Sequence, residues 1–185
     1  FDPSMNLKPM GSVKEYTKID YTITEKFGDY YRSPKAKYVH IYDGKGNRLE
    51  TSELTNKDSL VDKLVFSYDS NGKLTSTVAS DSDGKLSWKS VITYDDKGNK
   101  IEEAEYNASD MLVNKSIWKN SDGKQSEESY YDSEGALLGK TITKFDDLGR
   151  TSEVYQYFAN GKLDVKKVYT YNDAGKLSEV TYIDI

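Results

Sequence analysis

The sequence offers a single histidine, His40, as a candidate general base. Such a base needs a nucleophile within hydrogen-bonding reach. The sequence contains no Gly-x-Ser-x-Gly turn, no phosphate-binding glycine loop and no His-x-x-x-His spacing. His40 instead falls in register with Phe66, Ile92 and Trp118, which predicts a core or partly covered position on a sheet. We therefore predict no catalytic residues and no enzyme, with a hydrolase as a remote alternative.

Carboxylates that could bind a hard cation cluster at two places, Asp81 with Asp83 and Asp95 with Asp96. Neither segment is followed by the bidentate glutamate that completes a calcium loop of the helix–loop–helix type. The absence of cysteine excludes disulfides and thiolate metal sites. We predict no metal site and no cofactor.

Aromatic side chains are the best candidates for binding, because the chain has 16 Tyr and 2 Trp. Five of them could stack on a sugar or a peptide if the face that bears them stays partly open: Trp88, Trp118, Tyr155, Tyr157 and Tyr169. The alternative is that these five side chains fill the core. An exposed apolar patch above roughly a few hundred Å² would favour binding.

The elements that position these residues are marked by glycine. One series recurs at intervals of 26, 26, 25, 26 and 26 residues: Gly46, Gly72, Gly98, Gly123, Gly149 and Gly175. A second series lies between its members, with aspartate at two places where glycine is missing: Asp58, Gly84, Asp110, Gly135 and Gly161. A fixed period of this length is typical of a repeat architecture.

Most of the turns read Tyr/Phe-Asp/Asn-x-x-Gly, as at 68–72 and 94–98. The Asp or Asn accepts backbone N–H groups, and the glycine closes a type I turn in the left-handed conformation. Apolar and polar residues alternate between the turns, which is the period of a strand. The sequence therefore predicts an all-β antiparallel meander with a 26-residue, two-strand period. We expect about 11–13 strands in a curved single sheet or partial shell. Residues 38–185 form the array and 1–37 a cap or degenerate repeat, within a single structural domain.

The alternation separates an aromatic and apolar face, with Leu64 and Phe66, from a polar face with Lys63. The first face is predicted to be buried and the second exposed. Folding each hairpin about its turn also predicts four cross-strand ion pairs: Lys63 with Glu50, Lys115 with Glu102, Lys140 with Glu127, and Lys166 with Glu153.

The recurring motif Tyr-Asp-x-x-Gly-Lys/Asn/Arg, followed by a strand, resembles that of the YD-repeat (Rhs-type) proteins of bacteria over about residues 38–184. The resemblance implies long antiparallel strands wound into a curved sheet or a hollow shell. It also implies a secreted or cell-surface protein. This chain is short for that family and has no Asp-Pro-x-Gly core segment.

Composition narrows the classes of partner. The net charge of −5 arises from 26 basic and 31 acidic residues finely mixed along the chain, which leaves no basic stripe for nucleic acid. No apolar run approaches the roughly 20 residues of a membrane span. Because the sequence begins at Phe1 rather than methionine, we expect a processed or trimmed N-terminus, with any signal peptide or lipid anchor upstream.

Two hypotheses follow from these observations. In the first, the chain is a non-enzymatic, secreted or cell-envelope module that binds a protein or a glycan. In the second, it is a structural spacer or scaffold with no ligand of its own. An open aromatic face favours the first hypothesis, and an aromatic face sealed by the N-terminal segment favours the second.

Overall fold

The computed structural model describes residues 11–184, which contain thirteen strands and no helix. The strands are β1 (Glu15–Lys26), β2 (Asp29–Tyr42), β3 (Arg48–Thr55), β4 (Leu60–Tyr68), β5 (Leu74–Asp81), β6 (Leu86–Tyr94), β7 (Lys100–Asn107), β8 (Leu112–Ser121), β9 (Lys124–Asp132), β10 (Leu137–Phe145), β11 (Thr151–Phe158), β12 (Leu163–Tyr171) and β13 (Leu177–Asp184). Their order in the sheet is their order in the chain, with β1 and β13 as the end strands. The predicted antiparallel meander is confirmed, while its curvature stays a prediction.

The described residues fall into two compact units, residues 11–91 with 107–110 and residues 92–106 with 111–184. The first unit holds β1 to β5, and the second holds β8 to β13. The boundary predicted between residues 37 and 38 falls inside β2. The expectation of a trimmed N-terminus, and the first part of the predicted cap, concern residues 1–10, which lie outside the described residues.

The turns form as the motif predicts, and the turn at Asp95 shows how. Asp95 Oδ1 accepts the backbone N–H groups of Lys97 at 3.0 Å and Asn99 at 2.7 Å. The N–H of Gly98 donates to the Asp95 carbonyl at 2.8 Å, and the φ of Gly98 is 79°. Hydrogen bonds from the side chain and backbone of Asn99 hold the pKa of Asp95 below its ordinary value. The aspartate and the glycine together close the hairpin.

Aspartate also takes the left-handed conformation where glycine is missing from the second series. The φ of Asp58 is 61° and that of Asp110 is 59°. Aspartate is one of the few residue types with a side chain that tolerates this region, because it is short and polar. The prediction that these two residues replace glycine in the period is confirmed.

Three of the four predicted ion pairs form, each across a diagonal. The predicted pair of Lys140 with Glu127 is wrong, because Glu127 instead pairs with Lys119 at 2.8 Å. Lys63 lies opposite Ser52 rather than Glu50, and Lys166 lies opposite Tyr155 rather than Glu153. The lysine Nζ still reaches the glutamate carboxylate, at 2.5 Å for Lys63–Glu50 and 2.6 Å for Lys166–Glu153. Each strand pair contains a register shift, so its residues do not pair symmetrically about the turn as the sequence-based prediction assumes.

The other two predicted lysines are also offset from their expected positions, and only Lys115 contacts its glutamate. Lys115 lies opposite Ala104, and its Nζ is 3.9 Å from Glu102. Lys140 lies opposite Ser129, and its Nζ lies 5.5 Å from the ring centroid of Tyr157. We call the side of each strand pair that bears these lysines the ladder side.

The expectation of one buried and one exposed face is wrong. The side chains of Lys89 and Lys166 are only 27% and 25% exposed, and Ala104 on the ladder side is buried. Leu64 and Phe66, expected to be buried, are half-buried. In a single layer of strands, each side chain is covered mainly by its neighbours on the same side, and lysine stems supply much of that cover.

Candidate functional site

The first two strands extend beyond the rest of the first unit. β1 pairs with β2 from Glu15↔Ile41 to Lys26↔Asp29, whereas β3 pairs with β2 only over 36–42. Within the described residues, the outer part of the hairpin is therefore paired only with itself. We call residues 21–34 the hairpin arm.

The tip of the hairpin arm is a two-residue turn formed by Phe27 and Gly28. Their φ values are 58° and 85°, so both residues lie in the left-handed region, as a type I′ turn requires. Glycine suits this region, but a bulky aromatic residue is a genuine outlier there. The Phe27 side chain is also fully exposed, at 104% of its reference area. Phe27 therefore bears a conformational cost and gains no packing in return.

Other large apolar side chains of the arm are exposed as well. Tyr30 is 75% exposed and Ile23 is 67% exposed, and the register places both on one side of the arm. Tyr31 lies on the other side, with about half of its surface exposed. The Arg32 guanidinium lies over the Tyr21 ring, 3.8 Å from the centroid. Sequence reasoning did not identify this site, because it treated residues 1–37 only as a cap. The available signal was Phe27-Gly28 between two aromatic segments, although the usual first residue of such a turn is Asn, Asp or Gly.

The five aromatic residues predicted to bind do not share a side. In the second unit, Tyr155 lies opposite Lys166, on the ladder side, and Tyr157 lies opposite Leu163 next to it. Trp118 and Tyr169 each follow a ladder lysine by three positions, so alternation places them on the other side. In the first unit, Trp88 lies opposite Ala79 and is 43% exposed.

Trp118 is packed rather than presented to solvent. It is 8% exposed, and the Lys100 ammonium lies 4.0 Å from the centroid of its ring. Asn120, two residues along β8, donates through Nδ2 to the Lys100 carbonyl at 3.2 Å. These contacts assign Trp118 to the core of the second unit.

Tyr155 belongs to a cluster of charged groups, which we call the Tyr155 cluster: Lys144, Glu153, Tyr155 and Lys166. The Tyr155 hydroxyl donates to Glu153 Oε2 at 2.7 Å, and Lys144 donates to the same oxygen at 3.1 Å. Lys166 lies 2.6 Å from Glu153 Oε1. Hydrogen bonds from Lys166, Tyr155 and Lys144 lower the pKa of Glu153 from 4.5 to about 2.

The groups of the Tyr155 cluster stabilise one another in their charged forms. The hydrogen bond with Glu153 raises the pKa of Lys166, and those with Tyr155 and Glu153 raise the pKa of Lys144. At neutral pH both lysines are therefore protonated and the carboxylate is ionised. A carboxylate with a pKa near 2 is a weak base, so its effect here is to orient Tyr155.

Replacing Glu153 by glutamine tests this assignment through pH. The folded pKa of Glu153 lies below its unfolded value, so its ionisation stabilises the fold above about pH 4.5 and this contribution disappears as the pH falls toward 2. We expect wild type to exceed Glu153→Gln in free energy of unfolding above about pH 5, with the gap closing over that window. Denaturant melts at several pH values measure it. A gap that is constant from about pH 5 to about pH 2 would contradict it.

His40 is fully buried, as the sequence predicts. Its Nδ1 lies 2.9 Å from the Thr51 hydroxyl oxygen, which is itself buried, and its ring stacks on Tyr16 with centroids 5.7 Å apart. This position keeps the imidazole away from any substrate in solution.

The carboxylates considered for a cation serve the turns. Asp81 Oδ1 accepts the backbone N–H groups of Asp83 and Lys85, both at 2.9 Å, in the same way as Asp95 does. Among residues 11–184, no group of three or more His, Asp or Glu side chains is placed to hold a metal ion. Nor does that part of the chain contain a helix with the length and hydropathy of a membrane span.

Comparison with known proteins assigns no family, because no protein-family model and no curated protein matches the chain. Among solved structures, one similar to this chain is the Tc holotoxin pore of Photorhabdus luminescens, at 13% identity and a TM-score of 0.47. The TcdB2-TccC3 structure without its hypervariable C-terminal region is similar at 13% identity and a TM-score of 0.48. Each alignment covers 80% of this chain and 9% of the other, so this chain spans about a tenth of the length of those chains.

A third structure is a porin-like protein from Bacteroides uniformis, at 8% identity and a TM-score of 0.39. That alignment covers 95% of this chain and 91% of the other. At these identities and TM-scores, the three likenesses assign neither a family nor an activity.

Proposed function

We propose that the chain is a non-enzymatic β-repeat module that binds a protein partner through the tip of the hairpin arm, at the cell envelope or outside the cell. The observation that carries the proposal is Phe27, an exposed phenyl group in a left-handed turn position. A residue in a strained backbone conformation lowers the stability of the fold, and such residues cluster at functional sites. Here the strain presents an aromatic anchor at the end of a two-stranded arm.

The chemistry of the arm favours a protein over a glycan. A small ligand or a sugar needs a concave platform, and the tip projects outward. Aromatic residues and arginine are enriched at the centres of protein interfaces. Phe27 at the tip supplies the apolar contact, with Tyr30 on one side of the arm and Tyr31 on the other. Lys26, the last residue of β1, supplies a charge next to the tip. A partner with an apolar pocket and mixed charges at its rim fits this tip.

The second hypothesis, a spacer without a ligand, is supported by Trp118 and the ladder lysines, which are all used in internal contacts. It gives no reason for Phe27 at the turn. Catalytic activity is absent from our proposal because His40 is buried and Glu153 is held ionised. A hydrolase or transferase turnover that disappears on changing His40 or a carboxylate pair would overturn this part.

The substitution Phe27→Asn separates function from stability. Asparagine is a preferred residue for the first position of this turn, so we expect the free energy of unfolding to rise by about 0.5–1 kcal/mol. Loss of the phenyl group should abolish partner binding at the same time. Thermal or denaturant melts give the first result. A photo-crosslinking side chain at position 27, used in the native compartment, identifies the partner. The affinity of Phe27→Asn for that partner, compared with wild type, then gives the second result.

Leu148 provides the matched control, because it is an exposed apolar residue of a turn in the regular array, 76% exposed. Leu148→Asn should leave partner binding unchanged, and a crosslinker at position 148 should not capture the species captured at position 27. If Phe27→Asn destabilises the protein, Phe27 has a structural role. Equal capture from positions 27 and 148 would show that the arm is not a specific site.

A further inference from the structure

Among residues 11–184, β1 forms one long edge of the first unit, because β2 is the only described strand that pairs with it. The Tyr42 N–H donates to the Lys14 carbonyl at 2.9 Å, so residue 14 directs its backbone groups toward β2. Backbone hydrogen bonding alternates along an antiparallel strand. Even-numbered residues such as Lys18 therefore direct their N–H and C=O groups toward β2, and odd-numbered residues such as Ile19 direct theirs toward the open edge. The edge therefore offers a row of main-chain donors and acceptors.

β1 lacks the proline and the bulge that often block pairing at an edge. It is 12 residues long and contains no proline. The register shift of the hairpin leaves the extra residue, Lys35, on β2, since Asp20 pairs with Ala36 and Tyr21 with Pro34. β1 itself is uninterrupted, and its side chains Ile19 and Ile23 are 41% and 67% exposed. An edge strand of this kind is a template for another strand.

The charges of β1 are complementary to themselves. Lys18 and Asp20 lie two residues apart on the same side, with Nζ and Oδ1 3.0 Å apart. The Lys18 ammonium also lies over the Tyr38 ring, 4.9 Å from its centroid. About Ile19 the strand carries a positive charge on one flank and a negative charge on the other. A two-fold axis through Ile19 would place each charge opposite its counterpart in a second copy.

We propose that two copies of the chain associate through antiparallel pairing of their β1 strands, with Ile19 opposite Ile19 of the partner subunit. In this register Lys18 faces Asp20 of the partner subunit, and Asp20 faces the partner's Lys18. Both are non-hydrogen-bonded pairs, in which the side chains come closest. The edge-facing residues between Glu15 and Ile23 would add roughly ten main-chain hydrogen bonds, one donor and one acceptor each.

The neighbouring registers are unfavourable. The edge groups alternate, so the pairing can shift only in steps that keep odd residues opposite odd residues. One step in one direction sets Lys18 opposite Lys18 of the partner subunit. One step in the other sets Asp20 opposite the partner's Asp20 and Glu15 opposite the partner's Glu25. Like charges directly opposite are destabilising, so the charges select the register centred on Ile19.

A second copy of β1 fits this edge better than β13 does. The segment Leu177–Asp184 contains Glu179 and Asp184 and no basic residue, so it cannot pair with both charges of β1. An isologous contact of β1 with itself satisfies both charges and closes as a dimer. The tip residue Phe27 lies outside the paired segment, so Phe27→Asn should leave this association unchanged.

A charge-swap pair of variants tests the proposal. Lys18→Asp carries two negative charges on the edge and Asp20→Lys two positive charges. Each variant alone should dimerise at least about tenfold more weakly than wild type, because both cross-strand pairs become repulsive. Mixing the two should restore association, as a heterodimer visible by native mass spectrometry. Mixing does not change the like charges at positions 18 and 20 within each chain. Restored association on mixing can therefore come only from contact between the two chains.

Four further measurements complete the test. The double variant K18D/D20K should self-associate like wild type, and Ile19→Pro, which removes an edge N–H and no bond to β2, should be monomeric with an unchanged circular dichroism spectrum. Mixed charge-swap variants that stay monomeric while wild type dimerises would overturn the proposal. So would a wild type that is monomeric at high micromolar concentration in sedimentation. If only a chain lacking residues 1–10 dimerises, those residues occupy the edge, and the proposal is wrong for the full chain.

Discussion

Replacing Trp118 by alanine is expected to lower the free energy of unfolding by about 3–5 kcal/mol, the range for removing a large buried aromatic side chain. Trp118 is 8% exposed, and it also carries the Lys100 ammonium at 4.0 Å from its ring centroid. The substitution therefore removes apolar burial and a cation–π contact together. Denaturant melts of the two proteins measure the difference.

Trp88→Ala is the matched control, since it removes the same side chain from a site that is 43% exposed. We expect a loss of no more than about 2 kcal/mol there, because the tryptophan keeps much of its contact with water in the folded state. Equal losses for Trp88→Ala and Trp118→Ala would contradict the burial described for Trp118. Neither substitution should affect binding through the hairpin arm.

The second large effect is expected at His40. His40→Ala should cost about 2–4 kcal/mol, because it leaves a cavity beside Tyr16 and takes a hydrogen-bonding partner from the buried hydroxyl of Thr51. Partner binding should be unchanged once the variant is folded. Thermal melts and binding measured below the melting temperature separate the two readouts.

A pair of conservative changes shows which part of the loss is polar. His40→Phe keeps an aromatic ring at the site but leaves the Thr51 hydroxyl without this partner. Adding Thr51→Val should then recover part of the stability, because replacing both hydrogen-bonding groups by apolar ones costs less than replacing one. Additive losses from the two changes would show that the 2.9 Å contact between His40 and Thr51 contributes little.

The strands and turns could be predicted from the sequence because they depend on local chemistry. The hydrogen bonds that close the turn at Asp95 and Gly98 join residues no more than four positions apart in the chain. Asp58 takes the left-handed conformation in the place of a glycine. Side-chain alternation between such turns is equally local. The meander then follows, because short turns leave each strand no partner except its neighbours.

Burial and register could not be predicted in this way. Lys63 reaches Glu50 across a diagonal because it lies opposite Ser52, two residues along β3 from Glu50. Part of this offset comes from the register shift between Glu53 and Leu54, which has no signature in the period of glycines. Residue type alone groups Tyr155 with Trp118, although the position of Tyr155 opposite Lys166 places it on the ladder side. The period of the repeat does not predict the hairpin arm, because the arm lies outside the repeat. Phe27 is also an unusual residue for the turn that it occupies.

The order of the strands bears on how the chain reaches its fold. Every strand pairs with the one before it or after it in sequence, so each pairing closes a short loop. Closing a short loop costs little chain entropy, and a protein with mainly local pairings folds faster than a sandwich or barrel built from distant ones. A hairpin can nucleate wherever it first forms, and its neighbours can then add one strand at a time. The tyrosine-and-glycine turns thus act as independent starting points for folding, and loss of a terminal hairpin leaves the remaining pairings intact.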